Sequence, residues 1–68
     1  MDIDEVFSYH RPTEEQIPKY EAIRGAAKEF AKVILHNTPK CADQSAALRK
    51  LRESVMTANA SIALEGEV

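Results

Sequence analysis

The sequence has a single cysteine, Cys41, so no disulfide can form within the chain. Its two histidines, His10 and His36, show no metal-binding spacing with each other or with that cysteine. Glycine-rich phosphate loops, paired catalytic carboxylates and Ser/His/Asp or Cys/His arrangements are also missing. We therefore expect no metal, no cofactor, no catalytic residues and no enzymatic activity.

Long apolar runs are missing as well, because no stretch approaches the roughly 18 residues that span a bilayer, and we expect no membrane partner. A lone thiol and the lack of a signal peptide are typical of a reducing cytoplasm. The formal net charge is −2, and all nine lysines and arginines lie between residues 11 and 52, with acidic residues clustered at both ends. This balance argues against binding to a DNA or RNA polymer.

The length of 68 residues suits one domain, covering residues 1–68. A chain of this size buries only about 60% of its unfolded surface, so a monomer is marginally stable. Small domains offset this with disulfides, metals or association between chains, and only the last is open here. We therefore expect the domain to self-associate.

Two segments have the apolar period of a helix. The first predicted helix covers residues 13–37, where Thr13 is a suitable N-cap and Gln16 stands at the capping-box position. The second covers residues 41–65, and Gly66 is a plausible stop. The two apolar seams are Tyr20, Ile23, Ala27, Phe30 and Ile34 in the first helix, and Leu48, Leu51, Val55, Ala58 and Ile62 in the second.

A short link between two helices of similar length favours antiparallel packing. Residues 1–12 form an N-terminal segment in which Asp2 and Glu5 have capping-box spacing, so it predicts a short helix. The expected fold is therefore all-α, a short N-terminal helical segment followed by a two-helix antiparallel hairpin. The hairpin leaves apolar flanks uncovered, which is a second argument for a homo-oligomer; these flanks include Ile17, Leu35, Met56 and Leu64.

A basic row on the first helix is a candidate for binding an anion. Arg24, Lys28 and Lys32 follow at four-residue spacing, and Arg24 falls at the edge of the apolar seam. There its planar guanidinium suits a phosphate. A solvated charged face explains the row equally well for Arg24, and better for the two lysines.

Two further side chains have open roles. Tyr9 lies in an extended segment that Pro12 stiffens, where it either stacks on a base or packs the N-terminal segment onto the helices. Asn59 falls near the middle of the second helix's apolar face, where a polar group most often fixes register or oligomeric state. Contact with a ligand is the alternative for Asn59.

The sequence also resembles a known family. The resemblance runs from about residue 7 to residue 66 and concerns the bacteriophage anti-CBASS proteins of the protein-two type, which act as sponges for cyclic oligonucleotides. Its most distinctive parts are the Ala58-Asn59-Ala60-x-Ile62-Ala63 segment and the aspartate that opens the second helix. The segments that carry it are Tyr9-His10-x-Pro12, Gln16-Ile17-x-Lys19-Tyr20-x-x-Ile23-Arg24, Pro39-x-Cys41-Ala42-Asp43-x-Ser45-Ala46-Ala47 and Leu51-Arg52-x-x-Val55-Met56-x-Ala58-Asn59-Ala60-x-Ile62-Ala63.

The resemblance implies a homohexamer that captures cyclic dinucleotides between subunits, and possesses separate sites for cyclic trinucleotides. It implies that Tyr9 stacks on a base and that Arg24 holds phosphate at a position commonly occupied by lysine. Ala26 falls where relatives can have threonine, which puts one polar contact in doubt. The candidate ligand-binding residues are Tyr9, His10, Pro12, Arg24, Ala26 and Lys28.

The expected function is therefore sequestration, without cleavage, of cyclic dinucleotides such as cyclic GMP–AMP and of cyclic trinucleotides. A phage protein of this kind acts in the cytoplasm of the infected bacterium and keeps the messengers from activating CBASS effectors. The alternative is a helical-hairpin module that docks a partner protein and binds no nucleotide.

Overall fold

The computed structural model describes residues 2–66, and its regular structure over this range is entirely helical, which confirms the predicted fold class. The helices are α1 (Ile3–Val6), α2 (Ile17–Asn37) and α3 (Ala42–Ala63). The two long helices pack on each other as a hairpin. The predicted domain bounds include residues 1, 67 and 68, which lie outside the described residues.

α1 begins at the expected cap. The backbone N–H of Glu5 donates to Oδ1 of Asp2 at 3.2 Å, which satisfies one of the amide groups left free at a helix start. Yet α1 packs against neither long helix. Ile3 and the following Phe7 are consequently 68% and 82% exposed, whereas Val6 is half-buried.

α2 begins at Ile17, four residues later than the predicted start at Thr13. The capping box itself forms, because the Thr13 N–H donates to Gln16 Oε1 at 3.1 Å and the Gln16 N–H donates to Thr13 Oγ1 at 3.3 Å. These bonds close a turn over residues 14–16 that precedes the helix. Pro18 explains the delay, since it has no N–H to donate to residue 14 and its ring would crowd that carbonyl.

The connection between the long helices is held by side chains. Asn37 Nδ2 donates to the Val33 carbonyl at 2.8 Å, and Thr38 Oγ1 donates to the Ile34 carbonyl at 2.6 Å. These bonds add side-chain donors to carbonyls in the last turns of α2, where free carbonyl groups gather. Gln44 Nε2 donates to the Thr38 carbonyl at 3.2 Å and so links α3 to the turn.

α3 runs from Ala42 to Ala63, so it starts one residue after and ends two residues before the predicted 41–65. Its end is a Schellman motif, in which the Gly66 N–H reaches the Ser61 carbonyl at 3.0 Å and the Glu65 N–H reaches that of Ile62 at 3.1 Å. A Schellman motif requires a left-handed residue directly after the helix. Here that residue is Glu65, with φ of 51°, and Gly66 follows with φ of 80°. The chain therefore leaves the helix one residue before the glycine predicted to stop it.

The hairpin buries little by itself. Leu64, 7% exposed, is the one buried apolar side chain among residues 2–66, so its prediction as an uncovered flank is wrong. The seam residues other than Phe30 are half-buried. Gln16 Nε2 donates to the Ile62 carbonyl at 3.1 Å and so ties the start of α2 to the end of α3. Phe30 and Met56 remain 56% and 59% exposed.

Neither long helix, nor α1, is long and apolar enough to cross a membrane.

Candidate functional site

One face of the hairpin has two adjoining grooves between α2 and α3, which we call together the basic trough. The groove nearer the start of α2 has a volume of about 300 Å³, and the one nearer the interhelical turn has about 360 Å³. Arg24 and Val55 line both, so the grooves meet at these side chains. The first groove is lined by Pro12, Ile17, Tyr20, Arg24, Val55 and Asn59, and the second by Arg24, Ala27, Lys28, Ala31, Leu48, Leu51, Arg52 and Val55.

The trough is electropositive in a chain with a negative net charge. Arg24 and Lys28 lie one helical turn apart on α2, and Arg52 faces them from α3. Within the part of the chain that the structure describes, none of the three forms an ion pair, and no acidic side chain lines either groove. Three cations without compensating carboxylates attract an anion more strongly than paired ones do.

Lys32, the third member of the predicted basic row, behaves differently. Its Nζ lies 3.2 Å from Glu29 Oε1, with both side chains largely exposed, and it does not line the trough. The row therefore divides into two residues that line the trough and one that forms a solvated ion pair. The alternative of a solvated charged face holds for Lys32.

The floor of the trough is apolar and shallow. Alanines at 27 and 31 keep the α2 side low, while Leu48, Leu51 and Val55 form the α3 side. A surface of this kind accommodates the flat face of a ring, and the cations at the rim suit a negatively charged group on the same molecule. The arrangement therefore fits a ligand that combines an apolar plane with phosphate.

Asn59 is the one polar side chain with a buried, unpartnered atom in residues 2–66. Its Oδ1 is shielded from solvent and accepts no hydrogen bond. Asn59 lies one helical turn after Val55 and lines the same groove as Arg24 and Tyr20. A buried acceptor without a donor is rare in folded proteins, so this atom requires an explanation.

The candidate residues of the N-terminal segment are not all at the trough. Pro12 lines the groove beside Arg24. Tyr9 is 86% exposed and lines none of the described grooves, and His10 Nε2 donates to the Glu5 carbonyl at 2.5 Å. The bond from His10 folds the loop back on α1, so within one chain the structure does not bring Tyr9 and Arg24 together.

Ala26 lies on the opposite face of the hairpin. It lines a groove of about 240 Å³ with Ile23, Phe30 and Ser54, whereas Arg24 belongs to the trough. The separation follows from helical phase, because residues two apart on a helix point in widely different directions. Within a single chain Ala26 and Arg24 therefore cannot contact the same small ligand from one groove.

Arg52 was missed as a candidate from the sequence, although a signal was present. Arg52 follows the seam residue Leu51 on the second helix. In an antiparallel hairpin this position lies opposite Lys28 of the first helix. Counting outward from the turn along both predicted helices would have placed these two cations opposite each other.

No group of His, Cys, Asp and Glu side chains within residues 2–66 is arranged to hold a metal ion.

The comparisons with known proteins agree with this hairpin geometry. The family described as "Acb2/Tad1, hairpin domain" matches residues 1–63, which is nearly the whole sequence. No curated protein and no solved structure matches the chain. Because one family covers both long helices and the N-terminal segment, the chain is a member of the Acb2/Tad1 hairpin-domain family, to which the anti-CBASS proteins of the protein-two type belong.

Proposed function

We propose that this protein sequesters cyclic oligonucleotide messengers, cyclic dinucleotides such as cyclic GMP–AMP foremost, without cleaving them. Binding lowers the free concentration of the messenger and so prevents activation of CBASS effectors in the cytoplasm of an infected bacterium. The observation that carries the proposal is the basic trough of a member of the Acb2/Tad1 hairpin family, in which three cations without an ion pair in residues 2–66 surround an apolar floor.

The roles of the cations follow from their chemistry. A cyclic dinucleotide has two phosphates, each with a delocalised negative charge, and an arginine can donate two parallel N–H bonds to such a group. Arg24 stands where the two grooves meet, so it can hold a phosphate while the attached base lies in either groove. Lys28 and Arg52 add positive charge along the trough, and binding should weaken as salt rises.

Self-association is part of the proposal. A chain that buries one apolar side chain within its described residues gains little stability from its own core. Large apolar side chains stay half or more exposed on both long helices, which Phe30, Leu35 and Met56 illustrate. Burying them against further copies would supply the missing stability, and the family resemblance suggests a homohexamer. Tyr9 of one copy would then be free to reach the trough of another.

Calorimetric titration with cyclic GMP–AMP tests the proposal directly. We expect binding with Kd below about 10 μM, and recovery of unaltered ligand when the protein is denatured by heat and the supernatant is chromatographed. A cyclic trinucleotide, titrated in parallel, tests the second ligand class. Hydrolysed ligand would indicate an enzyme, and failure to bind either ligand class would refute the proposal.

A protein-docking module is the second candidate function. It is favoured by α1, which packs against neither long helix, and by the 68% and 82% exposure of Ile3 and the adjoining Phe7. An exposed apolar pair on a short capped helix suits insertion into a groove on another protein. A folded chain that binds no cyclic nucleotide, yet loses a protein partner when both side chains are replaced by serine, would support this candidate.

A further inference from the structure

Asn59 has an unsatisfied hydrogen-bond acceptor at a position where the hairpin could have placed an apolar side chain. Its neighbours along the face of α3 are apolar, and its Oδ1 is buried without a donor within residues 2–66. An unpaired buried acceptor weakens the folded state by about tenfold or more in its equilibrium constant. The hairpin alone therefore gains nothing from the amide of Asn59.

The position of Asn59 relates it to the charged part of the trough. It lies on α3 in the groove of about 300 Å³ that Arg24 lines from α2, and Tyr20 lines the same groove. This groove is smaller than a whole cyclic dinucleotide but can take one base with its sugar. A phosphate at Arg24 would place the attached sugar and base within the reach of Asn59.

We propose that Asn59 is a ligand-recognition residue: its carboxamide turns about the terminal side-chain torsion, which has a broad range, so that the enclosed Oδ1 enters the groove and accepts a hydrogen bond from the cyclic nucleotide while Arg24 holds a phosphate of the same molecule. The donor is either an N–H on the edge of a base or a ribose hydroxyl. This inference rests on the proposed function and adds to it a site for neutral polar recognition. It explains why an acceptor that destabilises the empty hairpin is present.

The decisive variant is Asn59→Leu, which keeps the number and branching of the side-chain heavy atoms, with two larger methyl groups in place of the polar atoms. The expected result is a change of opposite sign in two measurements on the full chain. The melting temperature of the ligand-free protein should rise by about 4 °C, because an unpaired polar group has been removed. The affinity for cyclic GMP–AMP should fall by about 10- to 100-fold, because the ligand's donor is left without an acceptor.

Thr57→Val is the matched control. Thr57 lies on the same helix, its Oγ1 donates to the Glu53 carbonyl at 2.9 Å, and it does not line the trough. This substitution also replaces a polar group by an apolar one of similar size and should leave the affinity unchanged. Light scattering on both variants reports whether the mass of the assembly changes.

Each result has a distinct meaning. If the unaltered chain binds cyclic GMP–AMP and Asn59→Leu binds it equally well, the role of Asn59 is refuted while the proposed function stands. If Asn59→Leu lowers the melting temperature or alters the mass of the assembly, Asn59 has a structural partner in another copy and the inference is wrong. If the unaltered chain binds no cyclic nucleotide, both proposals fail together.

A second ligand identifies the donor. Cyclic GMP–AMP in which the free 2′-hydroxyls are replaced by hydrogen retains every base N–H. If the ribose hydroxyl is the donor, the unaltered protein and Asn59→Leu should bind this analogue with equal affinity. If a base N–H is the donor, Asn59→Leu should still bind the analogue about 10- to 100-fold more weakly than the unaltered protein does, the same ratio of dissociation constants as for cyclic GMP–AMP itself.

Discussion

Arg24 on α2 and Asn59 on α3 line the same groove, although they come from opposite arms of the hairpin. Arg24 is a cation, and Asn59 has a buried oxygen that accepts no hydrogen bond within residues 2–66. The groove therefore has both a cation and a neutral polar side chain.

Replacing Arg24 by glutamine should weaken the binding of cyclic GMP–AMP by about 10- to 100-fold, because a charge-assisted bond to phosphate is lost. The dependence of affinity on salt should also become shallower. Titration at two salt concentrations measures both effects. Lys32→Gln is the matched control, since Lys32 is a cation on the same helix that pairs with Glu29 outside the trough. Equal losses in the two variants would point to general electrostatics and remove the specific role of Arg24.

Replacing Tyr9 by alanine should weaken ligand binding by about 1–3 kcal/mol, the range found when an aromatic that stacks on a base is removed. Because Tyr9 is 86% exposed, the free energy of unfolding should change by less than about 0.5 kcal/mol. Tyr9→Phe keeps the ring and should bind nearly as well as the unaltered chain. If Tyr9→Phe binds as weakly as Tyr9→Ala, the hydroxyl and not the ring makes the contact.

Leu64→Ala should lower the free energy of unfolding by about 2–3 kcal/mol, since Leu64 is the buried apolar side chain that closes the open end of the hairpin. Urea unfolding followed by circular dichroism measures the change. Leu35→Ala is a control of the same chemistry at a side chain that is 50% exposed, and its loss should be under about 1 kcal/mol. A comparable loss at Leu35 would show that other copies cover the outer face of α2 in solution.

Glu65→Gly should stabilise the protein by about 0.5–1 kcal/mol. Glu65 has φ of 51°, a left-handed conformation that costs about 1–2 kcal/mol with a Cβ present, and the glycine's greater freedom in the unfolded chain offsets part of the gain. Glu65→Ala removes the same carboxylate but keeps the Cβ, so it should give no comparable gain. If alanine stabilises as much as glycine, relief of charge and not of backbone strain is responsible.

The sequence predicts the two long helices well because their seams repeat over many turns. The ends are less predictable, and Thr13 shows why. Its reciprocal bonds with Gln16 form as expected, but Pro18 makes them close a turn and delays the helix to Ile17. A capping box involves only four residues. The start of the helix also depends on whether the following residues have a backbone N–H to donate to the carbonyl four residues earlier.

Only part of the candidate site could be predicted from the sequence. The apolar period shows which side of each helix faces the other, but it does not show which residues of the two helices lie next to each other. Arg24 is identified from its place at the seam edge, yet its neighbours Arg52 and Asn59 come from the other helix. The roles of Tyr9 and Ala26 as ligand contacts stay predictions. Neither side chain lines the trough of its own chain, and the apolar period of a single helix does not predict contacts between copies.

The scarcity of buried side chains has a consequence for how long a molecule of this protein survives. When folding, association and ligand capture are linked, whatever binds the folded form keeps more of the chain folded. Empty, dilute chains would open often and be degraded, whereas filled assemblies would persist. The lifetime of the protein would then lengthen as it fills, so the pool that remains would be enriched in molecules that hold their ligand.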